Sequence, residues 1–202
     1  MKLLNIDGKF YEFLDTFWSL LKLNFMWLLF SLPVVTIGCS TVAAYDVALR
    51  MAEQRAGSVI PQFIKAFKYN WKQGLPMGLI TLFITYSVYL NLELFDKVEN
   101  NPIIFLLFAI MLGVVGLTHF TYAFPLCARY HNGIYKTFRN SAAITVKYFL
   151  RTLFLWFIVS ALIFIFLLNT TLLFIGILIG PASIFLTVSS FATKTFSEIG
   201  KE

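Results

Sequence analysis

Charge is what this sequence has least of. Only 13% of its 202 residues are Asp, Glu, Lys or Arg, about half the ~25% that a water-facing domain carries. Cysteine is also scarce: Cys39 and Cys127 read as two buried free thiols, with no spacing for a disulfide framework or a zinc site. The histidines, His119 and His131, have no carboxylate cluster beside them. Gly-x-Ser-x-Gly, His-Glu-x-x-His and Walker loops are missing, so no catalytic constellation, cofactor or metal is expected. No basic stretch followed by an apolar core opens the chain, so a cleaved export signal is not expected either. What remains is apolar: 59% hydrophobic, 18% aromatic, mean hydropathy +0.79. That composition belongs to a polytopic membrane protein with the lipid bilayer as its first partner.

The gaps between charges mark the spans. Asp, Glu, Lys and Arg are absent from residues 23–45, 73–92, 100–128 and 152–193. About 20 apolar residues cross a bilayer as a helix, so the first three windows hold one crossing each. The fourth would make a helix about 63 Å long at ~1.5 Å per residue, and Asn169-Thr170-Thr171 interrupts it, so it reads as a hairpin. Backbone polar groups cannot face lipid unpaired, which makes these segments helical. Runs such as Phe154-Leu-Trp-Phe-Ile-Val lack the alternation of a membrane barrel. The expectation is one all-α domain over 1–202 with five transmembrane helices near 23–45, 73–94, 102–126, 150–168 and 172–193. Amphipathic segments are expected near 9–22, 58–72 and 130–147.

Basic residues orient it. Residues 46–72 carry Arg50, Arg55, Lys65, Lys68 and Lys72; 129–151 carry Arg129, Lys136, Arg139, Lys147 and Arg151; the tail adds Lys194 and Lys201. Lys2, Lys9, Lys22 and Lys97 are left for the other side, with most of the acids. By the positive-inside rule both long loops and the C-terminus face the cytoplasm of a cell membrane. The N-terminus is outside if 23–45 crosses, and cytoplasmic if that segment, broken at Pro33, re-enters. A pI of 9.3 is accounted for by this topology, and no nucleic-acid signature accompanies it.

Both basic loops are amphipathic. Ile60, Phe63, Ile64, Phe67 and Trp71 follow helical spacing opposite Lys65, Lys68 and Lys72, and Phe138 lies opposite Lys136 and Arg139. Lys65, Phe67, Lys68, Trp71, Lys72, Lys136, Phe138 and Arg139 are therefore the candidate docking surface. The alternative is that these helices rest on anionic headgroups. Phe63-Ile-Lys-Ala-Phe67-Lys-Tyr-Asn70 also matches Ile134-Tyr-Lys-Thr-Phe138-Arg-Asn140 with one gap, which leaves open an internal repeat. His119, late in the third span, is the candidate intramembrane polar group. Pro33, Gly38, Gly176, Gly180 and Pro181 are candidate helix breaks, which either expose carbonyls to a substrate or serve close helix packing.

Trp27-Leu-Leu-Phe-Ser-Leu-Pro33-Val-Val-Thr-Ile-Gly38 followed by Thr41-Val-Ala-Ala-Tyr45 resembles the N-terminal signature of the YesL family of bacterial membrane proteins. Phe67-Lys-Tyr-Asn70-Trp-Lys-Gln73, Tyr122-Ala-Phe-Pro125-Leu-Cys-Ala-Arg129-Tyr and Thr137-Phe-Arg-Asn140-Ser resemble its later segments in order. That family is of unknown function. Its members occur mostly in Firmicutes, often beside genes for carbohydrate ABC importers, so the resemblance implies a non-catalytic accessory that contacts an importer permease or ATPase. The Glu-Ala-Ala…Gly signature by which such permeases grip their ATPases is absent, so the pore subunit itself is not expected. The alternative is a small homo-oligomeric transporter or channel with its path near the helix breaks.

Overall fold

A computed structural model describes residues 4–55, 57–98, 102–130 and 132–200. Among them every regular element is helical: α1 (Leu4–Ser31), α2 (Ile37–Ala52), α3 (Val59–Tyr69), α4 (Trp71–Lys97), α5 (Ile103–Thr118), α6 (Phe124–Arg129), α7 (Ile134–Lys147), α8 (Phe149–Leu167) and α9 (Thr170–Ile199). Six stretches among the described residues are long and apolar enough to cross a membrane: Phe10–Ser31, Val34–Ala52, Trp71–Lys97, Ile103–Arg129, Phe149–Leu167 and Thr170–Ile199. The chain is an all-α, polytopic helical protein.

The extra candidate arises where one crossing was expected over 23–45. Nothing between Gly8 and Pro33 breaks a helix, so the amphipathic 9–22 stretch and the apolar run after it form one continuous α1. Proline disfavours helix in the residue before it, and the chain turns at Leu32-Pro33 into a 3₁₀ turn, Val34–Thr36. Side chains lock that corner. Thr36 donates to the Phe30 carbonyl at 2.6 Å, Ser31 and Ser40 lie 2.6 Å apart, and Trp27 Nε1 donates to Thr41 at 3.1 Å.

α2 occupies the centre. It is buried from Gly38 to Tyr45 and again from Val47 to Leu49, whereas the other long helices turn most of their surface outward. Its first turn meets α4 backbone to backbone. Gly38 lies on Gly74 and Gly78, and a Cβ at Gly74 would fall 2.6 Å from the Cys39 Cα. Small residues four apart let helices approach this closely. Cys39 Sγ reaches the Trp71 carbonyl at 3.6 Å, while beyond the far end of α2 Glu53 pairs with Arg129 at 2.7 Å. Gln73 in turn meets Cys127 at 3.5 Å and the Asn132 carbonyl at 3.2 Å. Both ends of α2 therefore lie near one end of the bundle, where α4 begins and α6 ends, the end that also carries the basic loops.

Tyr45, fully buried, organises the core around α2. Its ring lies 5.0 Å from Phe185, 5.9 Å from Phe120 and 6.2 Å from Phe124. Between α5 and α6 the helix widens into a π-turn, His119–Ala123. In a π-turn the carbonyl of Phe120 looks five residues ahead for its amide, to Pro125, which has none. The Tyr45 hydroxyl donates to that carbonyl instead, at 3.2 Å. Tyr45→Phe is expected to lower stability by about 1 kcal/mol, the net worth of one such hydrogen bond. A Tm drop of about 2–4 °C in detergent is the measurement.

Candidate functional site at the basic end

α3 and α7 are the amphipathic elements, and each runs into a long helix through one intervening residue, Asn70 before α4 and Tyr148 before α8. The structure divides the expected docking residues by chemistry. Lys65, Lys68, Trp71, Lys72, Lys136 and Arg139 are exposed. The phenylalanines between them turn inward. Phe67 packs on Phe30 at 4.9 Å and Trp71 at 5.5 Å, and Phe138 stacks flat on the His119 ring at 4.6 Å. Phe67 and Phe138 are thus the anchors of the two helices and leave the cations as the presented face.

The charges at this end fall into two sets. Arg50 binds Asp46 at 2.9 Å, Arg55 and Arg129 share Glu53 at 3.2 and 2.7 Å, and Arg151 binds Glu198 at 2.9 Å. Lys65, Lys68, Lys72, Lys136 and Arg139 have no carboxylate partner among the described residues. Exposed pairs of the first kind add little stability, but they do consume charge. The second set has no such carboxylate beside it among the described residues.

His119, the candidate intramembrane polar group, is buried at the π-turn. Its Nε2 is 2.8 Å from the Thr81 hydroxyl, and its Nδ1 has no hydrogen-bond partner among the described residues. Around it the third span is tied to its neighbours by hydroxyls: Ser141 donates to the Thr118 carbonyl at 3.1 Å, Trp156 Nε1 to Thr121 at 2.9 Å, and Tyr122 and Thr152 lie 2.9 Å apart. These bonds tie the third span to α4, α7 and α8. His131 lies outside the described residues.

The candidate breaks serve contacts. Pro33 is exposed at the corner after α1, and Gly38 makes the backbone contact described above. Gly176 and Gly180 face the Phe166 ring of α8, which a Cβ on Gly176 would meet at 2.8 Å. α9 continues through Pro181. Proline there leaves the Ile177 carbonyl, four residues back, without its helical amide, and Asn24 Nδ2 of α1 donates to it at 2.8 Å. Gly74, Gly78 and Asn24 were not singled out from the sequence. The Gly74-x-x-x-Gly78 spacing was there to find, whereas the Asn24–Ile177 contact joins residues 153 positions apart and leaves no local signal.

Fold and site together define a multi-pass helical membrane protein that presents, at one end of its bundle, cations without carboxylate partners among the described residues. Residues 20–92, from the second half of α1 almost to the end of α4, match the model of a family described as Protein of unknown function, DUF624. No curated protein and no solved structure matches the chain.

Proposed function

We propose that this protein is a non-catalytic accessory of the cell membrane that holds a carbohydrate ABC importer, by its permease or its ATPase, against the basic end of the bundle. The observation that carries this reading is the split in the charges: Lys65, Lys68, Lys72, Lys136 and Arg139 stand exposed and without carboxylates among the described residues, on helices pinned by Phe67 and Phe138. A partner with a complementary acidic surface would meet them with orientation and rate gained from charge. The importer as partner is supported by the YesL-like signature in residues 27–45, which falls within the stretch matched to a family of unknown function. On this reading the loops 46–72 and 129–151 and the C-terminus face the cytoplasm, as their Lys and Arg content favours. A transporter path would need the helix breaks, and those are taken up by the corner after α1 and by Phe166 and Asn24.

The test is purification of a chromosomally tagged copy in mild detergent from cells grown on complex carbohydrate. An importer permease or ATPase is expected in near-equal amount, falling several-fold when Lys65, Lys68 and Lys72 are changed together to Gln. Recovery of the protein alone as a discrete oligomer would overturn the reading, and sugar or ion flux through liposomes would then be measured.

A further inference from the structure

Among the described residues, the buried ones of the long helices gather toward the basic end. In α1 they begin at Leu23, in α4 they stop at Gly78, in α8 they are Thr152 and Leu155, and in α9 they begin at Gly180. In α5 only Ala109 is buried before the π-turn. The far half of the bundle therefore has no shared core among the described residues. There α4 and α5 pack on each other, and α9 packs with α1 and α8, while Phe83, Phe164 and Phe174 stand exposed. In water such a split would close over its apolar side chains. Lipid chains are as apolar as leucine, so in a bilayer nothing draws the two groups together.

The α4–α5 hairpin leaves the packed half through two irregular turns at one level. In α4, Pro76 withholds an amide from the Lys72 carbonyl. It lies between Gly74 and Gly78, which both rest on Gly38. That support is backbone on backbone, with no side chain on any of the three glycines to lock it. In the other arm stands the π-turn, His119–Ala123. The Thr81 hydroxyl, one turn past Gly78, lies 2.8 Å from His119 Nε2 and so sets the two turns side by side. Farther out Gly116 lies against Ile84, so the arms stay together. Prolines and π-turns are the places where helices bend. We propose that the α4–α5 hairpin swings as one body about Pro76 and the π-turn, opening and closing the far half of the bundle while the basic half keeps its packing. This is hinge motion, with the bend confined to a few residues between two rigid parts. It goes beyond the docking proposal and does not rest on it: failure to recover an importer would leave the hinge standing.

The experiment is double electron–electron resonance on the full chain in nanodiscs of phosphatidylethanolamine and phosphatidylglycerol. Cys39→Ser and Cys127→Ser leave only introduced cysteines to carry the spin labels. Three pairs at exposed positions are read: Ile104→Cys with Phe174→Cys across the split, Tyr86→Cys with Ile104→Cys within the hairpin, and Lys68→Cys with Lys194→Cys in the basic half. The pair across the split is expected to give a distance distribution several-fold broader than either of the others. Pro76→Ala, which returns an amide to the Lys72 carbonyl, is expected to narrow it toward their width. The proposal is overturned if the pair across the split is as narrow as the other two, if either of those is as broad as it, or if Pro76→Ala leaves its spread unchanged. Should Pro76→Ala not fold, the three widths decide alone.

Discussion

Gly38→Ala is expected to destabilise the protein by at least ~3 kcal/mol, the upper end of what overpacking a core costs. The new Cβ would fall on the Gly74 carbonyl and the Gly78 backbone, and backbone, unlike a side chain, has no rotamer to yield. Gly78→Ala should behave alike, since its Cβ would lie 2.7 Å from the Gly38 Cα. The matched control is Gly113→Ala in α5, where a Cβ would meet nothing within 4 Å; that change is expected to be neutral or to stabilise by up to ~1 kcal/mol through helix propensity. Unfolding in detergent followed by intrinsic fluorescence would show a drop of about 6–12 °C for the first two. Equal Tm values for Gly38→Ala and Gly113→Ala would mean that α2 does not sit on α4 as described.

The second large effect is expected at Asn24. Replacing it with Leu takes away the donor that satisfies the Ile177 carbonyl, and Pro181 prevents the helix from closing the gap itself. An unpaired carbonyl shielded from water costs about 2 kcal/mol. The account is tested by the partner change. In a Pro181→Ala background residue 181 again offers an amide, so Asn24→Leu should cost about 1 kcal/mol less there than in the parent. A double-mutant cycle in Tm or denaturant midpoint reads this coupling directly. Additive costs would mean that Asn24 and Pro181 act independently.

These two sites also mark how far the sequence alone reaches. The helical class follows from charge-poor windows that only helix can carry through lipid, and α3 and α7 follow from the spacing of Phe63, Phe67 and Phe138 against lysines. The break at Asn169 is visible as a polar interruption, and Asn169 does cap α9, its side chain accepting from the Thr171 amide at 3.2 Å. The number of long helices was less legible. A proline inside an apolar run, such as Pro33 or Pro181, can turn the chain or be absorbed, and the difference lies in what stands opposite. Pro33 faces outward at a corner closed by Thr36 and Ser40, while the gap left by Pro181 is filled by Asn24. Phe67 and Phe138 were grouped with the lysines because helical periodicity gives faces but not the neighbour that each face meets. In so apolar a chain nearly every face is a candidate for burial.

The π-turn at His119–Ala123 sets the aim of everything after it. A π-turn holds one residue more than the α-helix it interrupts, and one residue is about 100° of rotation. Were all five residues wound as regular α-helix instead, with none lost, α6 would be turned about a quarter-turn away. Arg129 would then point off Glu53, and Cys127 off Gln73. The wide turn thus acts as a phase setting, absorbing the extra residue and fixing which side of the third long helix is presented to α2 and to the basic end.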